Sequence, residues 1–289
     1  MKIRPWWSPP DLRLTAQLVA GRYRLDRLLG RGGAGDVYEA LDLRLRRPVA
    51  VKTFRPAGGA QTQERFVEEG RVLARLRHPG LVTLYDSGRD EDQCYLVMRL
   101  FEGGTLRRRI AASPLAPAEV VRIGSALAAA LAHVHAAGVV HRDVKPSNVL
   151  LDGSGMPHLA DFGNARVLGA PARTAAGTVV GTAAYLAPEQ VRGEGAGPAA
   201  DVYSLGLVLL EALKGEREYA GPPSEAAAAR LRRGPVIPPG LPAGLGDLLA
   251  AMTAPDERSR PDAATCFRAP ATDYGPLPAD GPSMRVTRR

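Results

Sequence analysis

The chain has 289 residues, 45% of them hydrophobic and 24% charged, which suits one large domain or two coupled lobes and excludes pervasive disorder, collagen and a coiled coil. Its 38 basic residues against 30 acidic ones leave a formal charge of +8, which raises the question of a polyanionic partner. Only four of the basic residues are lysine (Lys2, Lys52, Lys145 and Lys214), the other 34 are arginine, and there are only two asparagines, Asn148 and Asn164. A lysine or asparagine in a chemically demanding place is therefore informative. Cys94 and Cys266 lack CxxC spacing and a histidine-rich neighbourhood, which argues for two reduced thiols rather than a disulfide framework or a zinc site. Pro5, Pro9 and Pro10 interrupt the amino-terminal residues before an apolar run forms, so no secretory signal is expected. The apolar stretch 123–140 contains His133 and His135, and 202–213 is too short to cross a bilayer, so the expectation is a cytoplasmic protein without a membrane span.

In chain order, residues 1–20 read as an arm carrying the Trp6-Trp7 pair. From 23 to 54, apolar and polar residues alternate around a glycine cluster, which predicts three strands joined by turns. A helix is predicted over 64–77, where Phe66, Leu73 and Leu76 share a face and His78-Pro79-Gly80 stops the run. Two further strands fit 81–85 and 94–100, separated by turn-rich DSGRDED, so 21–101 forms a small five-stranded lobe with one helix. After Gly103-Gly104 the pattern becomes helical. Val120, Ile123, Leu127, Leu131 and Val134 recur at spacings of three and four, and Gly138 sits where a C-cap glycine belongs. A second helix fits 201–213, closed by Gly215, and 102–268 reads as a larger, mainly helical lobe. The Pro-rich 269–289, ending MRVTRR, reads as a disordered basic tail.

The chemistry is concentrated in a few segments. Gly30-Arg31-Gly32-Gly33-Ala34-Gly35-Asp36-Val37 is a G-x-G-x-x-G-x-V pattern, whose glycines let backbone N–H groups approach phosphate oxygens. A dinucleotide fold is excluded because a strand, not a helix, follows. Strand alternation turns Lys52 of Val49-Ala50-Val51-Lys52 toward the glycine turn along with Ala50, where it would bind phosphate as a point charge. In His141-Arg142-Asp143-Val144-Lys145-Pro146-Ser147-Asn148, the aspartate suits deprotonation of a hydroxyl, the lysine suits charge neutralisation, and the Asn carbonyl is a hard-oxygen ligand for Mg²⁺. Asp161-Phe162-Gly163 adds a second hard-oxygen ligand.

In this order of motifs, continued by 181–189 (GTAAYLAPE) and 201–206 (DVYSLG), the chain resembles the protein kinase superfamily, specifically bacterial eukaryotic-like (Hanks-type) Ser/Thr kinases, over about residues 21–265. The resemblance implies an α+β, bilobal protein kinase fold and ATP- and Mg²⁺-dependent transfer of a γ-phosphate to Ser/Thr hydroxyls of proteins, with Mn²⁺ as a possible substitute. It implies that Lys52 binds the α and β phosphates and pairs with Glu69, chosen over Glu68, that Asp143 is the catalytic base and Lys145 the charge stabiliser, and that Asn148 and Asp161 hold the metal. The nucleotide would contact Gly30, Arg31, Gly32, Gly33, Ala34 and Gly35, with adenine between Val37 and Ala50 on one side and Leu150 or Leu151 on the other. Met98 would be the gatekeeper, and backbone groups of Arg99 and Phe101 would meet the adenine edge. Lys145 and Thr182 of the substrate loop point to Ser or Thr acceptors.

Arg142 beside Asp143 suggests control by a phosphate on the following loop, with Thr174 and Thr178 as phosphosites, autophosphorylation starting at Thr174, and a kinase homodimer as one route to it. Glu189 and Arg260 resemble the family's buried ion pair. Four features depart from its pattern: Gly70 inside the first helix, which predicts a looser helix; Asn164 where an apolar residue is usual, which leaves the preference between Ser and Thr open; and the absence of a Pro-Phe pair in 214–219 with a short closing helix at 263–267, which predict a reduced far side of the large lobe. Two alternatives stand beside the kinase reading. A scaffold without activity is favoured only by those departures. A nucleic-acid binder is disfavoured because the arginine clusters are scattered and only 5% of residues are aromatic, so no specific nucleic acid is expected.

Overall fold

A computed structural model describes residues 17–32, 35–54, 59–91, 93–167 and 183–268. The small lobe is an antiparallel sheet built from β1 (Leu18–Val19), β2 (Tyr23–Arg31), β3 (Gly35–Asp42), β4 (Arg47–Phe54), β5 (Leu84–Asp90) and β6 (Gln93–Met98), crossed by α1 (Gly59–Arg75). Its order is β1-β2-β3-β4-β6-β5, one strand more than the five that patterning predicts. The sixth, β1, has two residues, too few to alternate; it forms because Ala20 and Gly21 both take positive φ and fold Leu18 and Val19 back onto Arg24 and Tyr23.

Residues 47–54 of β4 explain why the sheet works as a site. Val49 and Val51 join an outer cluster with Val19, Tyr23, Tyr95 and Val97, while Ala50 and Phe54 face the main core, so both sides of the strand are buried. Lys52 shares the second face and is carried into the interior with them.

The strand expected at 81–85 is displaced to Leu84–Asp90. Gly80, Val82 and Leu159 exchange backbone hydrogen bonds instead, docking residues 80–82 onto the large lobe. The polar run DSGRDED is therefore largely strand rather than turn. As the sheet's edge, β5 has one ladder partner and alternates half-buried with exposed, so polar residues are accepted there. A Cβ on Gly88 would come within 2.5 Å of the Tyr95 hydroxyl, which explains the glycine inside the strand. The predicted helix at 64–77 starts five residues earlier and ends two earlier, at Arg75.

The large lobe contains α2 (Leu106–Ala112), α3 (Pro117–Ala136), β7 (Val139–Val140), β8 (Val149–Leu151), β9 (Pro157–Leu159), β10 (Arg166–Val167), α4 (Pro188–Arg192), α5 (Pro198–Lys214), α6 (Pro223–Arg232), α7 (Leu245–Met252) and α8 (Ala263–Arg268). The apolar series from Val120 to Val134 is the buried face of α3. Close packing there depends on glycine: a Cβ on Gly124 would lie 2.9 Å from Leu209, and one on Gly206 2.6 Å from Thr253. The closing helix α8 is short, six residues, as expected, but the far side of the lobe is not stripped down. α6, α7 and α8 are present, and in place of a Pro-Phe pair Glu218 accepts hydrogen bonds from Lys214 at 2.5 Å, from Arg233 and from the Val236 N–H. Cys94 and Cys266 are free and buried, and burial pushes the Cys266 thiol up to about 11. Among the described residues no helix is long and apolar enough to cross a membrane.

Candidate active site

Two short ladders assemble the cleft. β7 pairs with β10 and β8 with β9, so the loop 141–148, between β7 and β8, is clamped beside the loop 160–165, between β9 and β10. Residues about 20 apart in sequence thereby become neighbours. The Ala160 N–H donates to the Asn148 carbonyl at 2.8 Å, and the His141 and Phe162 rings meet edge-to-face at 4.7 Å.

On the small-lobe side, the glycine turn is closed by the Gly32 N–H donating to the Gly35 carbonyl at 2.8 Å. A side chain at Gly35 would sit 1.9 Å from the Thr53 carbonyl, so the close approach of β4 alone demands glycine there. Gly30 pairs with Val37 and Arg31 with Asp36 across the turn, whereas Gly33 and Ala34 lie outside the described residues.

Lys52 pairs with Val37 and Leu96 in the sheet and directs its ammonium to three oxygens: Glu69 Oε1, Glu69 Oε2 and Asp161 Oδ1, each at 2.8 Å. Its three N–H donors are all used, two of them on Glu69. Two carboxylates around one ammonium leave one excess negative charge. Burial pushes the Glu69 carboxyl up, Lys52 opposes this, and the charge of Asp161 adds to it. Burial works against the Asp161 charge as well, but Lys52, with help from Lys145 and His141, outweighs it and holds that carboxyl below its ordinary value. The Lys52 ammonium is disfavoured by burial, yet Asp161 and Glu69 raise it above the usual lysine value. Gly163 completes the arrangement: a Cβ there would press within 3.2 Å of Glu69 and 3.3 Å of Asp161.

On the large-lobe side, Asp143 is buried and its two oxygens differ sharply. Oδ2 accepts from Lys145 Nζ at 2.8 Å, Asn148 Nδ2 at 3.1 Å and Asn164 Nδ2 at 3.2 Å; Oδ1 is buried with no hydrogen-bond partner among the described residues. A bare buried carboxylate oxygen is costly unless something comes to it. Asn148 Nδ2 also donates to the Asp143 carbonyl at 2.9 Å, so the amide nitrogen is engaged and the carbonyl oxygen is the atom left to offer.

Asn148 and Asp161 fit a magnesium ion on this chemistry. Both supply hard oxygen, the Asp161 side chain is 43% exposed, and its surroundings carry the excess negative charge. Two protein ligands suit a metal that keeps other positions for phosphate oxygens and water.

The expected adenine pocket is drawn from both lobes. Ala50 and Met98 are buried and face each other across β4 and β6, Val37 and Phe101 pack at the margin of the core, and Leu150 is half-buried. Leu151, the alternative, points into the interior, so Leu150 is the residue on the open side of β8. The Arg99 N–H is used on the Thr83 carbonyl at 3.0 Å, which leaves its carbonyl to meet a ligand. Thr174, Thr178 and Thr182 lie outside the described residues.

Three supporting residues escaped sequence reasoning. Asp201, at the start of α5, accepts from the His141 N–H at 2.8 Å, the Arg142 N–H at 2.7 Å and His135 Nε2 at 2.9 Å, fixing Arg142 at φ +66° immediately before Asp143. His135 had only its helix spacing to read, and Asn164 looked like a departure rather than a partner. Arg142 also donates to the Ala196 carbonyl at 3.2 Å. Arg260 grips Glu189 with two bonds of 2.7 and 2.8 Å, as the resemblance implies.

A bilobal fold with this cleft defines a class of phosphate-handling domains, and comparison with known proteins fixes the family. Residues 23–270 match the family described as protein kinase domain. The chain belongs to the protein kinase domain family. It is similar to the serine/threonine-protein kinase PknL of Mycobacterium tuberculosis, 41% identical over 255 residues, which cover 86% of this chain and 64% of PknL. PknA of the same species is 40% identical over 241 residues, covering 80% of this chain and 56% of PknA. Serine/threonine-protein kinase PrkC of Bacillus subtilis is 40% identical over 211 residues, or 72% of this chain and 33% of PrkC. The chain thus spans less than two thirds of the length of these relatives.

Proposed function

We propose that the chain transfers the γ-phosphate of ATP to serine or threonine hydroxyls of proteins, with magnesium, or manganese in its place, held between Asn148, Asp161 and the nucleotide. The observation that carries this reading is the asymmetry of Asp143: one oxygen saturated by three donors, the other buried without a partner among the described residues. On this reading Oδ1 orients an acceptor hydroxyl and takes its proton. Lys145 stands on the same carboxylate and shifts to the transferred phosphoryl group as charge builds on it. Lys52 holds the α and β phosphates and is itself held by Glu69, while the backbone of Gly30, Arg31, Gly32 and Gly35 covers the phosphates. When bound, the metal neutralises phosphate charge and the negative excess around Asp161. Met98, the Arg99 carbonyl, Phe101 and Leu150 receive the base. The named activities of PknL, PknA and PrkC support serine/threonine acceptors.

Regulation by autophosphorylation at Thr174, then Thr178, between two copies of the chain, belongs to the same reading, as does a place in cytoplasmic signalling. The test is incubation with labelled ATP and Mg²⁺, followed by phosphosite mapping. Wild type incorporates label on the loop threonines, and Lys52→Met and Asp143→Asn each lower incorporation by about 10²-fold or more. Wild type without incorporation under Mg²⁺ or Mn²⁺ would overturn the enzymatic reading.

A further inference from the structure

The two asparagines of this chain, Asn148 and Asn164, converge on one atom. Both donate their side-chain amide to Asp143 Oδ2, at 3.1 and 3.2 Å. In a chain of 289 residues with no other asparagine, that coincidence points to a shared task. The proposed reaction takes Lys145 away from Oδ2, as it moves to the phosphoryl group, and gives Asn148 a second task, its side-chain carbonyl on the metal while its amide stays on Asp143. Asn164 has neither duty. It stands on the short helical turn Phe162–Asn164, one residue after Gly163, and its side chain is exposed except where it reaches Asp143.

We infer that Asn164 is a positioning residue: its amide holds Asp143 Oδ2 throughout turnover, so that the carboxylate keeps Oδ1 aimed at the acceptor hydroxyl after Lys145 has left. The inference rests on the assignment of Asp143 as base. Its physical basis is the torsion of a carboxylate, which is broad and two-fold, so an Asp that loses its donors on one oxygen loses the distinction between the two. A hydrogen bond from the 160–165 loop also makes the orientation of Asp143 conditional on that loop. Phe162 is buried against His141, and Asp161, at φ +63°, is bonded to Lys52, so Asn164 reaches Asp143 in the same loop arrangement that turns Asp161 to Lys52. Base and metal ligand are thereby set together.

The experiment compares Asn164→Asp, which keeps the shape but replaces the N–H donor by an acceptor, Asn164→Leu, which removes the polar group, and Asn164→Gln, which retains a donor on a longer stem. Steady-state phosphorylation of serine and threonine peptides is measured alongside melting temperature and nucleotide affinity. Expected are a fall in kcat of about 10-fold or more for Asn164→Asp and several-fold for Asn164→Leu, partial rescue in Asn164→Gln, and KM for ATP, nucleotide affinity and melting temperature all within error of wild type. The side chain is exposed, and the melting temperature reports directly whether each variant is folded. A kcat within two-fold of wild type in both Asn164→Asp and Asn164→Leu overturns the inference. So does a loss matched by weaker nucleotide binding or lower melting temperature, which would mark a structural role, and so does an unchanged kcat on one acceptor with loss on the other, which would mark selectivity. Wild type assayed in parallel separates the two levels: an inactive wild type defeats the kinase reading itself, whereas an active wild type with indifferent Asn164 variants defeats only this step.

Discussion

Two buried ion pairs of nearly equal length do opposite work in this molecule. In the large lobe, Arg260 spends all five of its N–H donors: two on Glu189, the others on the carbonyls of Ala199, Ala254 and Pro255. Charge is balanced one against one and no donor is left over. In the cleft, Lys52 spends its three donors on two carboxylates, and the group carries a negative charge too many. The first arrangement is complete as it stands. On the proposed reading the second is completed by phosphates and a cation, and burial there serves binding rather than stability.

The largest expected effect tests the first half of that contrast. Arg260→Ala leaves Glu189 charged in the interior and is expected to destabilise the protein by about 3–5 kcal/mol, a fall in melting temperature of roughly 10 °C. Calorimetry or a thermal melt decides it. Glu69→Gln tests the second half. It removes one of two carboxylates competing for Lys52, which Asp161 still holds, so activity drops about 10–100-fold while melting temperature stays level or rises. If Glu69→Gln melted as early as Arg260→Ala, the distinction between the two pairs would be lost.

A third ion pair, at the sheet, sharpens the comparison through pH. The hydrogen bond from Arg22 holds the Asp42 carboxyl down at about 2, against burial. A depressed folded value means its contribution is fully present above the ordinary carboxylate value and is lost as pH falls through about 2. Asp42→Asn should therefore melt a few degrees below wild type at neutral pH, and the gap should close as the melts are repeated toward pH 2. The smallest effect concerns Gly70. A Cβ there would meet Leu96 at 3.5 Å, an ordinary contact, so Gly70→Ala should stabilise α1 by about 0.5–1 kcal/mol and leave the Lys52 pair intact. A loss of stability would show that the glycine has a packing role.

Legibility in the sequence followed the range of the interaction. Helix faces in α3 and α5, the Gly138 and Gly215 stops and the alternation of β4 are set by neighbours within a few residues, and they were readable. β1 and β5 were misread because pairing partners and edge position, not local pattern, make them strands. Gly35 and Gly88 show the same limit. Their glycines answer to backbone or aromatic atoms on an adjacent strand, and nothing in the residues beside them announces it.

The scarcity of lysine and asparagine, with the spacing of the glycine, lysine, aspartate and asparagine motifs, is what leads to the proposal of a nucleotide and a metal, because phosphate and magnesium demand particular donor types. What the sequence left open was which atom of each residue is used. That Asp143 has one saturated oxygen and one bare one, that Asn164 shares the saturated one, and that Asp201 holds the loop from below all depend on segments 20 to 60 residues apart. Those contacts exist only after two short ladders and a buried helix have closed around them, and so tertiary packing decided them.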